Sequence, residues 1–243
     1  MKRLLPFALS VTLALSLGTT LLRGQDKEVS CAPAQKDPQR HEQFLKDKAE
    51  ALKKGPVNLL FVGDSITDAW RHGAQNKLYQ DRWGKHNPLN LGISGDKTEH
   101  VLWRLDHGEV EGIKPKAVVV MIDTNNLGNQ PQATAEQTAA GVTCVVEKLR
   151  EKLPDARILL LGVFPRGDKA DDPYRAKIKA VNETIAKLDN GGEHVKYLDI
   201  GAEFLDNDGV LPKDIMPDAL HPNEKGYEIW ADAMGPALDE MLK

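Results

Sequence analysis

Five short runs along the chain are almost wholly apolar and rich in Val, Ile and Leu: residues 57–62, 89–93, 117–122, 157–163 and 195–200. They lack the in–out alternation of a strand with one wet face, and read as strands covered on both sides of a parallel sheet. Between them, apolar positions recur with a helical period over 98–105, 133–153 and 174–188, and once more over 223–241. A further helix-like stretch covers 38–54 and is stopped by Gly55-Pro56. Strands and helices in alternation predict an α/β fold, a three-layer α/β/α sandwich around a five-stranded parallel sheet with right-handed crossovers. Ligands of such sheets bind beyond the carboxyl ends of the strands. The residues that follow each run are therefore the ones to read for chemistry.

The first run leads into Gly63-Asp64-Ser65, the second into Ser94-Gly95-Asp96, and the third into Asp123-Thr124-Asn125-Asn126. Asp218-Ala219-Leu220-His221 precedes the last helix. Taken singly, each is an ordinary turn or loop. Brought to one sheet edge, they contain the parts of an acyl-transfer site. A serine hydroxyl needs a base to take its proton, the base needs a third group to fix its tautomer, and a tetrahedral oxyanion needs donors. Ser65 sits at a strand-to-helix turn, where its N–H can point at an oxyanion. His221 is the candidate base, and Asp218 lies three residues before it. Pro217 and Pro222 bracket this segment and disfavour helix, so the Asp218 carboxylate can reach Nδ1 and leave Nε2 for Ser65. Gly95 offers a backbone N–H with no side chain in the way, and Asn125 offers an amide.

These blocks resemble those of the SGNH (GDSL-type) hydrolases. Gly63-Asp64-Ser65-Ile66-Thr67 matches the first, Leu89 through Asp96 the second, Thr124-Asn125-Asn126 the third, and Asp218 through His221 the last. The run from Gly95 through His100-Val101-Leu102-Trp103-Arg104-Leu105, and Gly162-Val163-Phe164-Pro165-Arg166-Gly167, are similar to the platelet-activating-factor acetylhydrolase catalytic-subunit branch. The resemblance spans roughly 57–232. It implies a flavodoxin-like fold, hydrolysis of short acyl esters (acetyl above all), no metal and no cofactor. Ser65, Asp218 and His221 would form the triad, and Ser65, Gly95 and Asn125 the oxyanion hole. Asp64, Asp123, Asn126 and Arg166 complete the set as candidate substrate-binding positions. For Asp64 the alternative is support of the Ser65 turn, and for Arg166 a loop salt bridge.

One position departs from the family pattern, which has Gly where this chain has Asp123. A carboxylate facing the oxyanion about 6 Å away, at an effective dielectric of about 20, would oppose it by roughly 3 kcal/mol. That is about a hundredfold in rate. Alternatively the side chain turns to the other face at the strand end, hydrogen-bonds a sugar hydroxyl, or caps a helix.

Composition narrows the partners. The 243 residues suit one sizeable domain. The formal charge of -4 comes from 32 basic and 36 acidic residues, and an acidic surface repels phosphate backbones, so nucleic acid is not an expected partner. Lys2-Arg3 precedes an apolar run from Leu4 to Leu22, the layout of a secretory signal over 1–25, with an uncleaved anchor as the alternative. Residues 26–36 read as a linker and 37–243 as the hydrolase domain. The domain is thus expected to be exported, periplasmic or secreted, with no stable membrane association once the signal is removed.

Export favours O-acetyl groups on a glycan as substrate. The rivals are a lysophospholipase or phospholipid acetylhydrolase, and a glycan-binding module silenced by Asp123. The resemblance is compatible with a homodimer, though no interface is readable. Cys31 and Cys144 are the two cysteines, and Cys144, among valines on a helix, reads as a buried core thiol rather than half of a disulfide. No His-Glu-x-x-His, paired-cysteine or Gly-x-Ser-x-Gly pattern occurs. Asp168, Asp171 and Asp172 read as a solvated acidic loop, His100 as a pocket-lining candidate, and Trp103 and Trp230 as core.

Overall fold

The computed structural model describes residues 30–243. The expected signal over 1–25 lies outside the described residues, as do residues 26–29. Helix α1 (Pro38–Lys54) is followed by β1 (Leu59–Gly63), α2 (Ser65–Asp68), α3 (Gly73–Trp83) and β2 (Leu89–Asn90). Next come α4 (Thr98–Asp106), β3 (Ala117–Met121), α5 (Thr124–Gly128), α6 (Ala135–Lys152) and β4 (Arg157–Leu161). The chain closes with α7 (Pro173–Ile185), β5 (Val195–Leu198) and α8 (Glu224–Met241). The five strands are all parallel, in the order β2-β1-β3-β4-β5. This is the α/β sandwich the apolar runs predict.

The period of two along each strand sorts its side chains into two cores. Leu60 and Val62 of β1, Val118 and Val120 of β3, and Ile158 and Leu160 of β4 face one layer, where α1, α4, α6 and α7 contribute Phe44, Val101, Val145 and Val181. Leu59 and Phe61, Val119 and Met121, and Leu159 and Leu161 face the other, where α3 and α8 contribute Tyr79, Trp83, Trp230 and Met234. A sheet buried on both faces explains why the runs are continuous rather than alternating.

Three local expectations change. The second run pairs as a ladder only at Leu89–Asn90. Beyond it, the Leu91 and Ile93 N–H groups still donate to Phe61 O at 2.8 Å and Gly63 O at 3.4 Å, so the segment stays strand-like without forming regular pairs. Residues 73–83, for which the sequence predicts no helix, form α3, whose fully inward positions are Tyr79 and Trp83, one turn apart, in largely polar company. Trp230 is core, whereas Trp103 is only half-buried and stacks on His107 with ring centroids 3.8 Å apart.

The reading of Cys144 as a free core thiol is corrected. Cys31 and Cys144 form a disulfide across 113 residues, with Cα atoms 5.8 Å apart. Residues 31–36 lie against the domain: the Ala34 N–H donates to Glu99 O at 3.0 Å, which carries Cys31 onto α6. A loop of this size stabilises the fold by about 4–5 kcal/mol in the chain-entropy account. Among the described residues no helix is long and apolar enough to cross a membrane.

Candidate active site

Ser65 is the first residue of α2, directly beyond β1. The turn that presents it is tightly fixed. Asp64 caps the helix by accepting the Ile66 N–H at 3.0 Å. A Cβ on Gly63 would lie 2.2 Å from Met121 O and 2.1 Å from Thr67 Oγ1, so β1 can lie this close to β3 only with glycine there. From α8, the Tyr227 hydroxyl donates to Ile66 O at 2.6 Å. The Asn90 amide donates to Thr67 O at 2.7 Å.

His221 comes from the irregular segment between β5 and α8. Ala219 adopts a left-handed φ of 57°, which folds the segment so that Asp218 Oδ1 accepts the N–H groups of Leu220 at 3.1 Å and His221 at 2.7 Å. The second carboxylate oxygen lies 2.7 Å from His221 Nδ1, and His221 Nε2 lies 2.9 Å from Ser65 Oγ. Partial burial pushes the Asp218 carboxyl upward. The hydrogen bonds from the His221 ring and from two N–H groups outweigh it and hold the group below the usual carboxylate range. An ionised Asp218 on Nδ1 favours the tautomer that leaves Nε2 free to accept the Ser65 proton.

Gly95 and Asn125 reach the same edge from beside β1. The sheet order places β2 and β3 on opposite sides of β1, the reversal at which open α/β sheets bind ligands. Gly95 has a φ of 74°, a conformation suited to glycine. Asn125 Nδ2 donates to Asp96 O at 2.9 Å, and its Oδ1 accepts from Asn129 at 3.1 Å. The amide is therefore fixed in orientation, with one of its two hydrogens uncommitted.

The other candidates point elsewhere. Asn126 bridges to α4, accepting the Thr98 N–H at 3.1 Å and donating to Thr98 Oγ1 and Glu99 Oε2, each at 3.1 Å. Arg166 donates to Thr124 O at 3.1 Å and lies 4.5 Å over the Tyr174 ring, steadying α5 from behind. His100 Nδ1 accepts the Lys97 N–H at 2.9 Å. Among the described residues no group of three His, Cys, Asp or Glu is placed to hold a metal ion.

Asp123 is wholly buried at a φ of 133°, and neither carboxylate oxygen has a hydrogen-bond partner. It makes no side-chain cap on α5. Burial, with Asp64 and Glu99 as electrostatic neighbours, pushes its carboxyl well above the usual range. Burial, with Asp96 adding to it, pushes Asp64 up to about 7. A neutral Asp123 does not repel an oxyanion, so the cost reckoned above for a facing carboxylate does not arise while the proton stays on.

The position instead weakens the fold. A non-glycine residue in this backbone region costs about 1–3 kcal/mol, and the buried carboxyl adds to it. Asp123→Gly is therefore expected to raise stability by about 2 kcal/mol at pH 8, a melting temperature about 4–8 °C higher. The pH dependence has a definite sign. A carboxyl whose pKa is raised by folding contributes stability that is complete below about 4 and is lost as pH rises through its folded value. Wild type should accordingly lose stability from pH 5 to pH 8, and Asp123→Gly should lose less. A variant that melts below wild type at pH 8 would contradict the account of strain.

Residues 61–229 match the GDSL-like lipase/acylhydrolase family. The chain is 37% identical over 202 residues to the platelet-activating factor acetylhydrolase IB subunit alpha1 of Bos taurus, covering 83% of this chain and 82% of that protein. It is 38% identical over 192 residues to the alpha2 subunit of Rattus norvegicus, with 77% of each covered. Among solved structures, a putative acylhydrolase from Bacteroides fragilis superposes with a TM-score of 0.68 at 18% identity, over 86% of this chain and all of that one. An acetylxylan esterase from Geobacillus stearothermophilus superposes with a TM-score of 0.57 at 23% identity, over 76% and 93%. At these identities the two structures speak to the fold.

Proposed function

We propose that this chain, which belongs to the GDSL-like lipase/acylhydrolase (SGNH) family of carboxylic ester hydrolases, removes short acyl groups, O-acetyl above all, from carbohydrate esters. The reading is carried by the unbroken path from Ser65 Oγ to His221 at 2.9 Å and from His221 to Asp218 at 2.7 Å. Ser65 attacks the ester carbonyl while His221 takes its proton and Asp218 holds the imidazole. The N–H groups of Ser65 and Gly95 and the free amide hydrogen of Asn125 receive the oxyanion. His221 returns the proton to the leaving alcohol. It then activates a water that releases the acid from the acyl-serine.

Two observations favour a small acyl group on a large hydrophilic body. The side chains of His221 and Asp218 are 44% and 57% exposed, so the reacting edge opens onto solvent. A cavity of about 630 Å³, lined by Val163, Pro165, Ile178, Tyr197 and Leu205, includes neither Ser65 nor His221, so it offers no apolar channel to the serine. The Cys31–Cys144 disulfide supports an exported protein, since such bonds persist in oxidising compartments. The second reading, an acetyl phospholipid, is favoured by its 37–38% identical relatives, which are platelet-activating factor acetylhydrolase subunits.

The test is hydrolysis of p-nitrophenyl acetate, butyrate and octanoate with Ser65→Ala as the blank, followed by acetate release from acetylated xylan fragments and from an acetyl-ether phospholipid. Ser65-dependent turnover that favours acetate and acts on xylan fragments is expected. A preference for octanoate, or for the phospholipid, would move the substrate to lipid. Absence of Ser65-dependent turnover on every ester would leave a binding module.

A further inference from the structure

We infer that Lys36, on the segment ahead of α1, is a positioning residue for the oxyanion site, and that the Cys31–Cys144 disulfide holds it in place. The inference rests on the reading of Gly95 and Asn125 as oxyanion donors. The Lys36 ammonium donates to Ser94 O at 2.5 Å and to Asp96 Oδ1 at 3.2 Å. The Ser94 carbonyl and the Gly95 N–H belong to one planar, trans peptide unit. A cation on the oxygen therefore fixes the direction of the N–H on the opposite side and polarises it into a stronger donor. The Lys36 Nζ lies only 3.2 Å from the place a Gly95 Cβ would take.

The second donor is tied to the same group. Asp96 O accepts one hydrogen of the Asn125 amide, and the Asp96 carboxylate is gripped by Lys36 on one oxygen and by Arg104 on the other at 2.8 Å and 3.1 Å. Arg104 in turn pairs with Glu109. Asp96, Arg104 and Glu109 are all buried. With Lys36 the four charges cancel; without it, one negative charge is left in a dry site beside the oxyanion loop. Lys36 thus sets the direction of both donors and the sign of the field behind them.

The segment that carries Lys36 is held at three points. Cys31 is bonded to Cys144 on α6, the Ala34 N–H donates to Glu99 O at 3.0 Å, and Asp37 caps α1 by accepting the Arg40 N–H at 2.9 Å. Cutting the disulfide leaves the Lys36 contacts resting on hydrogen bonds alone. Reduction should consequently lower turnover while the triad stays whole.

The experiment compares wild type with Lys36→Met, Lys36→Arg, Cys31→Ser and the double variant Cys31→Ser/Lys36→Met on p-nitrophenyl acetate, with Ser65→Ala as the blank. Melting temperatures and amide hydrogen exchange over residues 93–97 are measured alongside. Lys36→Met is expected to lower kcat about tenfold to a hundredfold with KM within about twofold, the pattern of a donor lost in the transition state. Lys36→Arg should recover most of that loss, which a purely structural role would not require. Cys31→Ser should lower kcat in the same direction, and the double variant should be no worse than Lys36→Met. A wild-type kcat in Lys36→Met overturns the inference, as does a loss that Arg fails to recover. If wild type itself shows no Ser65-dependent turnover, the esterase reading fails. The oxyanion role of Lys36 then falls with it, and the exchange data decide only the ordering contact: faster exchange at 93–97 in Lys36→Met upholds Lys36 as the group that orders this loop, and wild-type exchange overturns that too.

Discussion

Alanine at Ser65, at His221 or at both is expected to lower kcat by one and the same factor, about 10⁴–10⁶. The three side chains are joined end to end by contacts of 2.9 and 2.7 Å, and such a chain works as a unit: a serine without its base is as idle as a base without its serine. What survives is binding and the oxyanion donors, which neither substitution touches. Asp218→Ala should cost less, since His221 remains within reach of Ser65 and loses only the group that fixes its tautomer. The check is a kinetic cycle of the two single variants and the double, with active-site titration to exclude wild-type contamination. If the losses multiplied in the double variant, Ser65 and His221 would be acting independently, and the triad assignment would fail.

Asn125→Ala should lower kcat by about 10²–10³ while leaving KM nearly unchanged. Asn125 is 6% exposed, so its donor acts where water screens little. Asp96 O takes one hydrogen and Asn129 holds the oxygen, which fixes the second hydrogen without cost at the moment of reaction. Because the ground-state carbonyl needs that hydrogen far less than the tetrahedral oxyanion does, the loss falls on kcat. A variant as fast as wild type would remove Asn125 from the oxyanion hole and leave the task to backbone N–H groups.

The sequence exposes the parts of the site that depend on local order and hides those that depend on distance. Ser65, Gly95 and Asn125 each follow a buried apolar run, so finding the strands finds them. Asp218 and His221 are legible because the prolines around them disfavour helix and leave a tight turn in which the two side chains can meet. Asp123 is visible as a departure from a pattern, but its consequence is not: whether it faces the oxyanion turns on a φ of 133° and on burial, which only the assembled sheet defines. Lys36 gives no sign at all, since nothing in its polar surroundings announces a partner 58 residues away at Ser94. The Cys31–Cys144 bond is hidden for the same reason, as its two cysteines stand 113 residues apart in the chain and are neighbours only in the assembled fold.

The aromatic packing behind Ser65 gives this protein an internal optical probe. Trp70, Trp83 and Trp230 are fully buried, with Trp70 5.6 Å from Trp83 and 5.1 Å from Trp230 between ring centroids, whereas Trp103 stacks on His107 in the other layer. Three of the four indoles therefore lie in the half of the core that supports α2, where Tyr227 packs on Trp70 at 4.5 Å. A red shift of the tryptophan emission during unfolding is therefore expected to report mainly on water entering the layer beneath Ser65, without any added dye or label.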